Sequence, residues 1–299
     1  MNRILVIGKS GQLARSLQVS SSGNPSLVFM SKEELDISDK ESVRARFLSL
    51  KPDVVINCAG YTNVELAEEQ VEDAEKVNFV GIKNIVDTCN LFKTKLYHIS
   101  TDYVFNGEKT KPYIETDDCC PLNMYGKTKA KGDEYVRQNC EKYIIIRTAW
   151  LYSPFGNNFL KAILNKLEQE NELYVVADQI GSPTSAVSLA EFVLWAIDKE
   201  FLKNLVINFT DIGSGTWFDM AKEISEQLTQ FTNKTYKVNK IDTSSLKLKA
   251  SRPKYSVLST DYLESINYSQ RYRWQETLRQ HVKDILNSRN KNGYSSTST

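Results

Sequence analysis

The 299-residue chain reads as an α/β protein, a doubly wound parallel sheet with a smaller C-terminal α/β lobe. Three observations predict this. Apolar runs of strand length alternate with helical stretches through the first half of the chain, as parallel βα units require. The first run, "RILVIG", feeds a turn with glycines at Gly8 and Gly11. Past Trp150 the alternation loosens, which marks a change of architecture.

Each element has its own signal. "RILVIG" is continuously apolar, as a strand covered on both faces should be. "GQLARSLQ" reads helical, and "SLVFM" is a second strand. "SDKESVRARFLSL" opens on polar capping candidates and carries Val43, Phe47 and Leu50 at helical spacing. "DVVINCAG" is a third strand, "AEKVNFVGIKNIVDTCNLF" a long helix and "KLYHIS" a fourth strand. "YGKTKAKGDEYVRQN" is helical, and "KYIIIRTAW" is a fifth strand. Residues 1–149 are therefore expected to form a dinucleotide-binding domain. Further on, "NFLKAILNKLEQE", "SAVSLAEFVLWAIDK", "TWFDMAKEISEQL" and "RWQETLRQHVKDIL" read as helices, and "ELYVVAD" and "NLVINFT" as strands. Residues 186–212 are expected to return to the first sheet. The rest of 150–287 would build a substrate lobe over its C-terminal edge. Residues 288–299 have little to bury and are expected to be disordered.

Bulk properties exclude several classes. The net charge is +1, so no broad field draws the chain to nucleic acid or anionic lipid. No apolar stretch is long enough to span a bilayer. The N-terminal apolar run is roughly five residues, short of a signal-peptide core, so a cytoplasmic location is expected. Cys58, Cys89, Cys119, Cys120 and Cys140 are odd in number and follow no disulfide or metal spacing. They read as free thiols in a reducing compartment, and no metal site is expected.

A parallel strand feeding a helix aims the helix's free N–H groups and positive dipole end at the intervening turn. Side chains at Gly8 and Gly11 would obstruct a diphosphate there, and Ala14 would let the helix pack closely on the sheet. The alternative is a tight turn without a ligand; its place in the first βα unit favours dinucleotide binding. After the second strand come Ser31, Lys32 and Glu33, where an NAD enzyme usually places an acid. The cation suits a 2′-phosphate, which points to NADP(H) or dual use with NAD(H). Asp36 and Ile37 could cover the adenine or form a solvated loop.

"STDYVF" places Ser100, Thr101, Asp102 and Tyr103 at the carboxyl end of the fourth strand, where open α/β sheets bind ligands. Tyr125 and Lys129 stand at i and i+4 on the next helix and share a face. The ammonium, with a cationic nicotinamide, would lower the tyrosine's proton affinity and make Tyr125 a proton donor near neutral pH. Thr101 would polarise the reacting carbonyl. Taken alone a Tyr-x-x-x-Lys pair is a weak signal; the ordered set is stronger.

The order "GKSGQLA", "NCAG", "STDYVF", "YGKTK" resembles the extended short-chain dehydrogenase/reductase family, and so do "DQIGSPT", "TWFDMA" and "SRPKYSVLST". The resemblance runs from Gly8 to about Thr260. It implies a Rossmann-type fold with Thr101, Tyr125 and Lys129 as catalytic residues. It implies cofactor contacts from Gly8, Ser10, Gly11, Gln12, Leu13, Ser31, Lys32, Asp36, Ile37, Cys58, Ala59, Gly60, Thr62 and Ser100, besides Tyr125 and Lys129. It implies that Asp102, Tyr103, Phe105 and Trp150 line a sugar pocket with Thr101, and that Arg252 pairs with a nucleotide diphosphate. The implied substrate is a dTDP-sugar, reduced at the C4 ketone of dTDP-4-dehydro-6-deoxy-L-mannose, by a monomer or homodimer. Sugar-nucleotide dehydratases of the superfamily carry Thr-Asp-Glu after the fourth strand. Tyr103 stands at the third position here, and a phenol is a poor carboxylate base. A magnesium-bridged dimer known in the family uses glutamates where this chain has Ser16 and Val187. Two other readings stay open: a reductase of another nucleotide-linked keto-sugar, and a non-catalytic regulatory subunit like the β subunit of methionine adenosyltransferase.

Overall fold

The computed structural model describes residues 3–199 and 201–294. Five parallel strands form in the first half: β1 (Ile4–Ile7), β2 (Leu27–Met30), β3 (Val54–Asn57), β4 (Lys95–Thr101) and β5 (Tyr143–Thr148). A sixth strand, Leu205–Asn208, joins the open edge of β5, with Leu205 opposite Ile144. The spatial order is Leu205–Asn208, β5, β4, β3, β1, β2. β1 pairs with β2 on one side and β3 on the other, so the winding reverses between β1 and β3. A crevice opens at such a reversal, outside the carboxyl ends of the strands.

Alternation along each strand sorts its side chains into two layers. Ile4 and Val6 pack with Ala14 and Leu17 of α1 (Gln12–Ser20) and with Leu189, Ala190 and Val193 of the Ala186–Asp198 helix. Leu5 and Ile7 face the other way, onto Val43 and Phe47 of α2 (Lys40–Leu50) and Ile82, Ile85 and Val86 of the Gly81–Phe92 helix. Every one of these strand residues is buried. Each contributes about 1.5–3 kcal/mol relative to exposure, which is why an unbroken apolar run of four suffices for a central strand.

The lobe has its own core. The parallel pair Glu172–Val176 and Lys237–Ile241 packs with the Phe159–Glu170, Trp217–Thr232 and Trp274–Tyr294 helices through Leu164, Leu173, Ile224 and Leu278. The tail departs from the disorder expected of 288–299, because the last helix continues to Tyr294. The Ser288 hydroxyl bonds the Asp284 carbonyl, and Arg289 bonds Glu168 and Asn165 of the neighbouring helix. Residues 295–299 lie outside the described residues. Among the described residues, no helix is long and apolar enough to cross a membrane.

Candidate active site

The two glycines of the first turn do different work. Gly8 has φ +92°, and a Cβ there would sit 2.9 Å from the Ala59 nitrogen and 3.1 Å from the Cys58 carbonyl carbon. It lets the ends of β1 and β3 meet at the crevice. Gly11 caps α1 at an ordinary φ of −71° with no side-chain hydrogen bond. A Cβ there would meet only the Gly8 oxygen, at 3.2 Å, so the helix N-terminus is left open. An open, uncapped N-terminus with close backbone on both sides fits a dinucleotide diphosphate. Ser10 is exposed on this turn, and Leu13 is buried in the core beneath it. The Gln12 side chain spans to the second lobe, accepting from Ser153 and Asn158 and donating to the Leu151 carbonyl.

Past β2, the Ser31 N–H donates to Glu34, and Lys32 is exposed. Burial works to raise the Asp36 carboxyl. Hydrogen bonds from Ser38, with the charges of Lys32 and Lys76, outweigh it and hold the group below its usual range. Ile37 turns inward: its side chain packs where a Cβ on Gly81 would stand, 2.7 Å away. Its carbonyl accepts from the Asn84 amide at 2.9 Å. After β3, Cys58, Ala59 and Gly60 are partly exposed and Thr62 is exposed. Burial pushes the Cys58 thiol well up. Asn78 braces this loop, accepting from the Tyr61 N–H and donating to the Tyr61 carbonyl and the Thr128 hydroxyl. It sits in a single π-helical turn, Lys76–Val80, pressed against the Met124–Asn139 helix. A Cβ on Gly132 would come within 2.4 Å of the Asn78 oxygen. Asn78 was not among the expected residues; an Asn inside an otherwise helical apolar stretch is its only sequence signal.

Thr101 closes β4 and its hydroxyl accepts from the Tyr103 N–H, starting a 3-10 turn over Asp102–Val104. The Met124–Asn139 helix docks on that turn at Gly126, where a Cβ would lie 2.2 Å from the Tyr103 oxygen. Asn123 caps the helix by accepting from the Gly126 N–H, and its amide donates to the Ser251 carbonyl. This close docking brings the Thr101 hydroxyl to the Tyr125 phenol. Lys129 is buried one turn further along, its Nζ 2.6 Å from the Ile99 carbonyl oxygen.

Burial pushes the Tyr125 phenol well up; the Thr101 hydroxyl opposes this, and Asp102, Tyr103 and Asp133 add to it. The Lys129 ammonium donates to the Ile99 carbonyl. Burial lowers the Lys129 proton affinity, with Asp133 acting against it. In the protein alone Tyr125 is thus a firmly protonated phenol. Burial also pushes the Asp102 carboxyl up to about 7, against hydrogen bonds from Ser256 and Thr101.

Tyr103 meets Tyr125 edge-on, ring centroids 5.8 Å apart, and its hydroxyl accepts from Arg252 at 3.1 Å. Arg252 is also paired with Glu65 at 2.6 Å, so a diphosphate would have to share or displace that carboxylate. Glu65 accepts from the Lys249 N–H as well, which pins the 249–252 loop over the cleft. Trp150 adopts φ +44°, uncommon for a bulky residue. It is held there by a stack on Trp217, centroids 3.6 Å apart, and by Gly181, which has no side chain to collide with the indole. Phe105 does not join the cleft: it is fully buried, stacked on Tyr113 at 4.2 Å under the Arg147 guanidinium. It belongs to a small separate core with Val104, Tyr113, Ala149 and Leu258, which took it inward. Ser16 is fully buried, its hydroxyl bonded to the Gln12 carbonyl. Among the described residues no group of three His, Cys, Asp or Glu is placed to hold a metal.

The cleft therefore combines a protonated phenol, a hydroxyl beside it, a buried amine behind it and an open helix N-terminus across the crevice. This set can deliver a proton to a carbonyl oxygen held against a bound dinucleotide. The model of the RmlD substrate binding domain matches residues 1–287. The chain is 35% identical over 287 residues to dTDP-4-dehydrorhamnose reductase of Aggregatibacter actinomycetemcomitans, covering 93% of this chain and 98% of that one. It is 34% identical to the spore coat polysaccharide biosynthesis protein SpsK of Bacillus subtilis, over 95% of this chain and 98% of that one. Among solved structures it is similar to dTDP-4-dehydrorhamnose reductase of Bacillus anthracis in complex with NADP. That pair has a TM-score of 0.88 and 33% identity, with 95% of this chain and 99% of the other covered.

Proposed function

We propose a function from one premise: the chain belongs to the RmlD substrate binding domain family. It is an NADP-dependent oxidoreductase that reduces the C4 ketone of dTDP-4-dehydro-6-deoxy-L-mannose to dTDP-L-rhamnose. The observation that carries the site assignment is the Thr101 hydroxyl at the carboxyl end of β4, facing the Tyr125 phenol with Lys129 behind it.

The dinucleotide, when bound, supplies the hydride. Gly8, Ser10, Gly11 and Gln12 would hold its diphosphate, and Lys32 with Ser31 its 2′-phosphate. Cys58, Ala59, Gly60 and Thr62 would border the ribose and the adenine side, with Asp36 and Ile37. Thr101 donates a hydrogen bond to the ketone oxygen and polarises it. Tyr125 gives that oxygen its proton as the alkoxide forms. Lys129 holds a positive charge beside the resulting tyrosinate and donates to the ribose, and Ser100 supports the strand end below it. Asp102, Tyr103 and Trp150 shape the sugar pocket, and Arg252, released from Glu65, meets the diphosphate of the substrate. The five unpaired cysteines fit a reducing cytoplasm.

The test is to mix purified protein, NADPH and a panel of nucleotide-linked 4-keto-sugars and follow loss of absorbance at the reduced nicotinamide band. Oxidation with the dTDP-linked 4-keto-6-deoxy-L-mannose above the others supports the reading. Faster turnover of another sugar would reassign the substrate, and none with any sugar would remove the activity.

A further inference from the structure

We propose that Asp133 is a positioning residue of this site, the buried counter-charge behind the Tyr125–Lys129 pair, held in place by His98, Ser100 and Arg147. The inference rests on the reductase reading above.

Tyr125, Lys129 and Asp133 follow one another at intervals of four on a single helix, so all three lie on the face turned to β4. Lys129 is 5% exposed and Asp133 2% exposed. A carboxylate this deep persists only when it is paired and hydrogen-bonded. One oxygen accepts from the Ser100 hydroxyl at 2.5 Å and lies 3.8 Å from the Arg147 Nε. The other lies 3.4 Å from the His98 Nε2. The tautomer follows from the far side of the ring: the Asn57 amide donates to His98 Nδ1 at 3.2 Å, so Nε2 carries the hydrogen, on the side of the ring near Asp133 but outside hydrogen-bond geometry. Burial and the Lys129 charge keep His98 neutral. The same partners hold the Asp133 carboxyl ionised despite its burial.

The charges facing this spot can be counted by element. From the helix come Lys129 and Asp133 themselves, from β4 His98, and from β5 Arg147. From the 3-10 turn come Asp102 and Tyr103, and from the loop before the helix Cys119, with Glu115 and Asp117 acting on Arg147. Glu75 and Asp87, on the elements packed outside, pair with Lys131 and Tyr135 on the opposite face of the helix. Asp133 is thus the anion facing Lys129 from its own helix, and it shares Arg147 with Glu115 and Asp117. Its charge raises the proton affinity of both Lys129 and Tyr125. Both effects act in one direction: they keep the pair proton-loaded, the state that ketone reduction requires.

The experiment compares pH profiles of kcat and KM for the wild type, Asp133→Asn and Asp133→Glu, with NADPH and the dTDP-linked keto-sugar. The expected result for Asp133→Asn is an alkaline limb of kcat displaced to lower pH by roughly one unit or more, with KM for the sugar little changed. Asp133→Glu returns the limb toward its wild-type place. The alkaline limb of NADPH affinity, read by nicotinamide fluorescence, should move the same way, since Lys129 meets the cofactor only when protonated. If Asp133→Asn fails to fold, Asp133→Asn with Arg147→Met removes the anion together with one of its two buried cations and leaves Lys129 held by the Ile99 carbonyl; the same displacement is expected. Limbs that coincide with the wild type in both readouts overturn the proposal. A displaced affinity limb in a protein with no sugar-dependent turnover would remove the reductase reading and leave this one standing.

Discussion

Gly8→Ala and Gly11→Ala should separate two roles that look identical in the sequence. At Gly8 the backbone has φ +92°, which costs an L-residue on the order of 1–2 kcal/mol. The new methyl would also press on the Ala59 nitrogen at 2.9 Å and the Cys58 carbonyl carbon at 3.1 Å. Both are backbone atoms, and the Cys58 N–H is bonded to the Ile7 carbonyl at 3.0 Å, so neither can swing aside. Overpacking of this kind costs about 1–3 kcal/mol, for a total of roughly 2–5 kcal/mol. At Gly11 the φ is −71° and the methyl would meet a single oxygen at 3.2 Å. Its cost to stability should stay under about 1 kcal/mol. NADPH affinity should nevertheless fall at least about tenfold, because the methyl occupies the approach to the helix N-terminus. Urea unfolding monitored by circular dichroism gives the first quantity, and fluorescence titration with NADPH gives the second. Equal stability losses in the two variants, or wild-type NADPH affinity in Gly11→Ala, would refute this division of labour.

Three further outcomes are expected. Tyr125→Phe should lower sugar-dependent NADPH oxidation by about 10²-fold or more while sparing NADPH binding; turnover near wild type would exclude Tyr125 as the proton donor. Arg252→Lys loses the fork that reaches Tyr103 and Glu65 together, so KM for the dTDP-sugar should rise several-fold with kcat less affected; steady-state kinetics check this. His281, held neutral by burial with its affinity lowered to about 4, shares a hydrogen bond with the Ser185 hydroxyl at 2.8 Å. The unfolded chain takes up that proton near pH 6.5 and the folded one only near 4, so stability is lost as pH falls through this window. His281→Gln should flatten that part of a stability-against-pH curve measured by urea unfolding.

The sheet was legible in the sequence because its signals are local: four-residue apolar strands, caps such as Asp39, and glycines where the backbone must pass close. The meeting of Thr101 with Tyr125 follows from order along the chain, since a strand end and the next helix of a βα unit share one edge. Partnerships across long separations left no such trace. Glu65 and Arg252 lie 187 positions apart and meet only because the 249–252 loop folds back over the cleft. Phe105 sits two residues from Tyr103, yet a 3-10 turn between them sends one ring to the cleft and the other to the core. The polar composition of the tail concealed a last helical turn held by Arg289 and Glu168. Asp133 did leave a signal, its spacing of four from Lys129, which becomes informative only once burial is known.

The return of Leu205–Asn208 to β5 constrains how such a protein can be cut or recombined. A fragment ending near residue 150 would leave Ile144, Ile145 and Ile146 on a bare edge, an invitation to self-association through unpaired amides. It would also strip Ala14 and Leu17 of the helix that covers them. Swapping specificity between relatives therefore needs at least two splice points flanking 186–212, not one seam. A graft that respects them should remain monodisperse on size exclusion, whereas a single-cut chimera should aggregate.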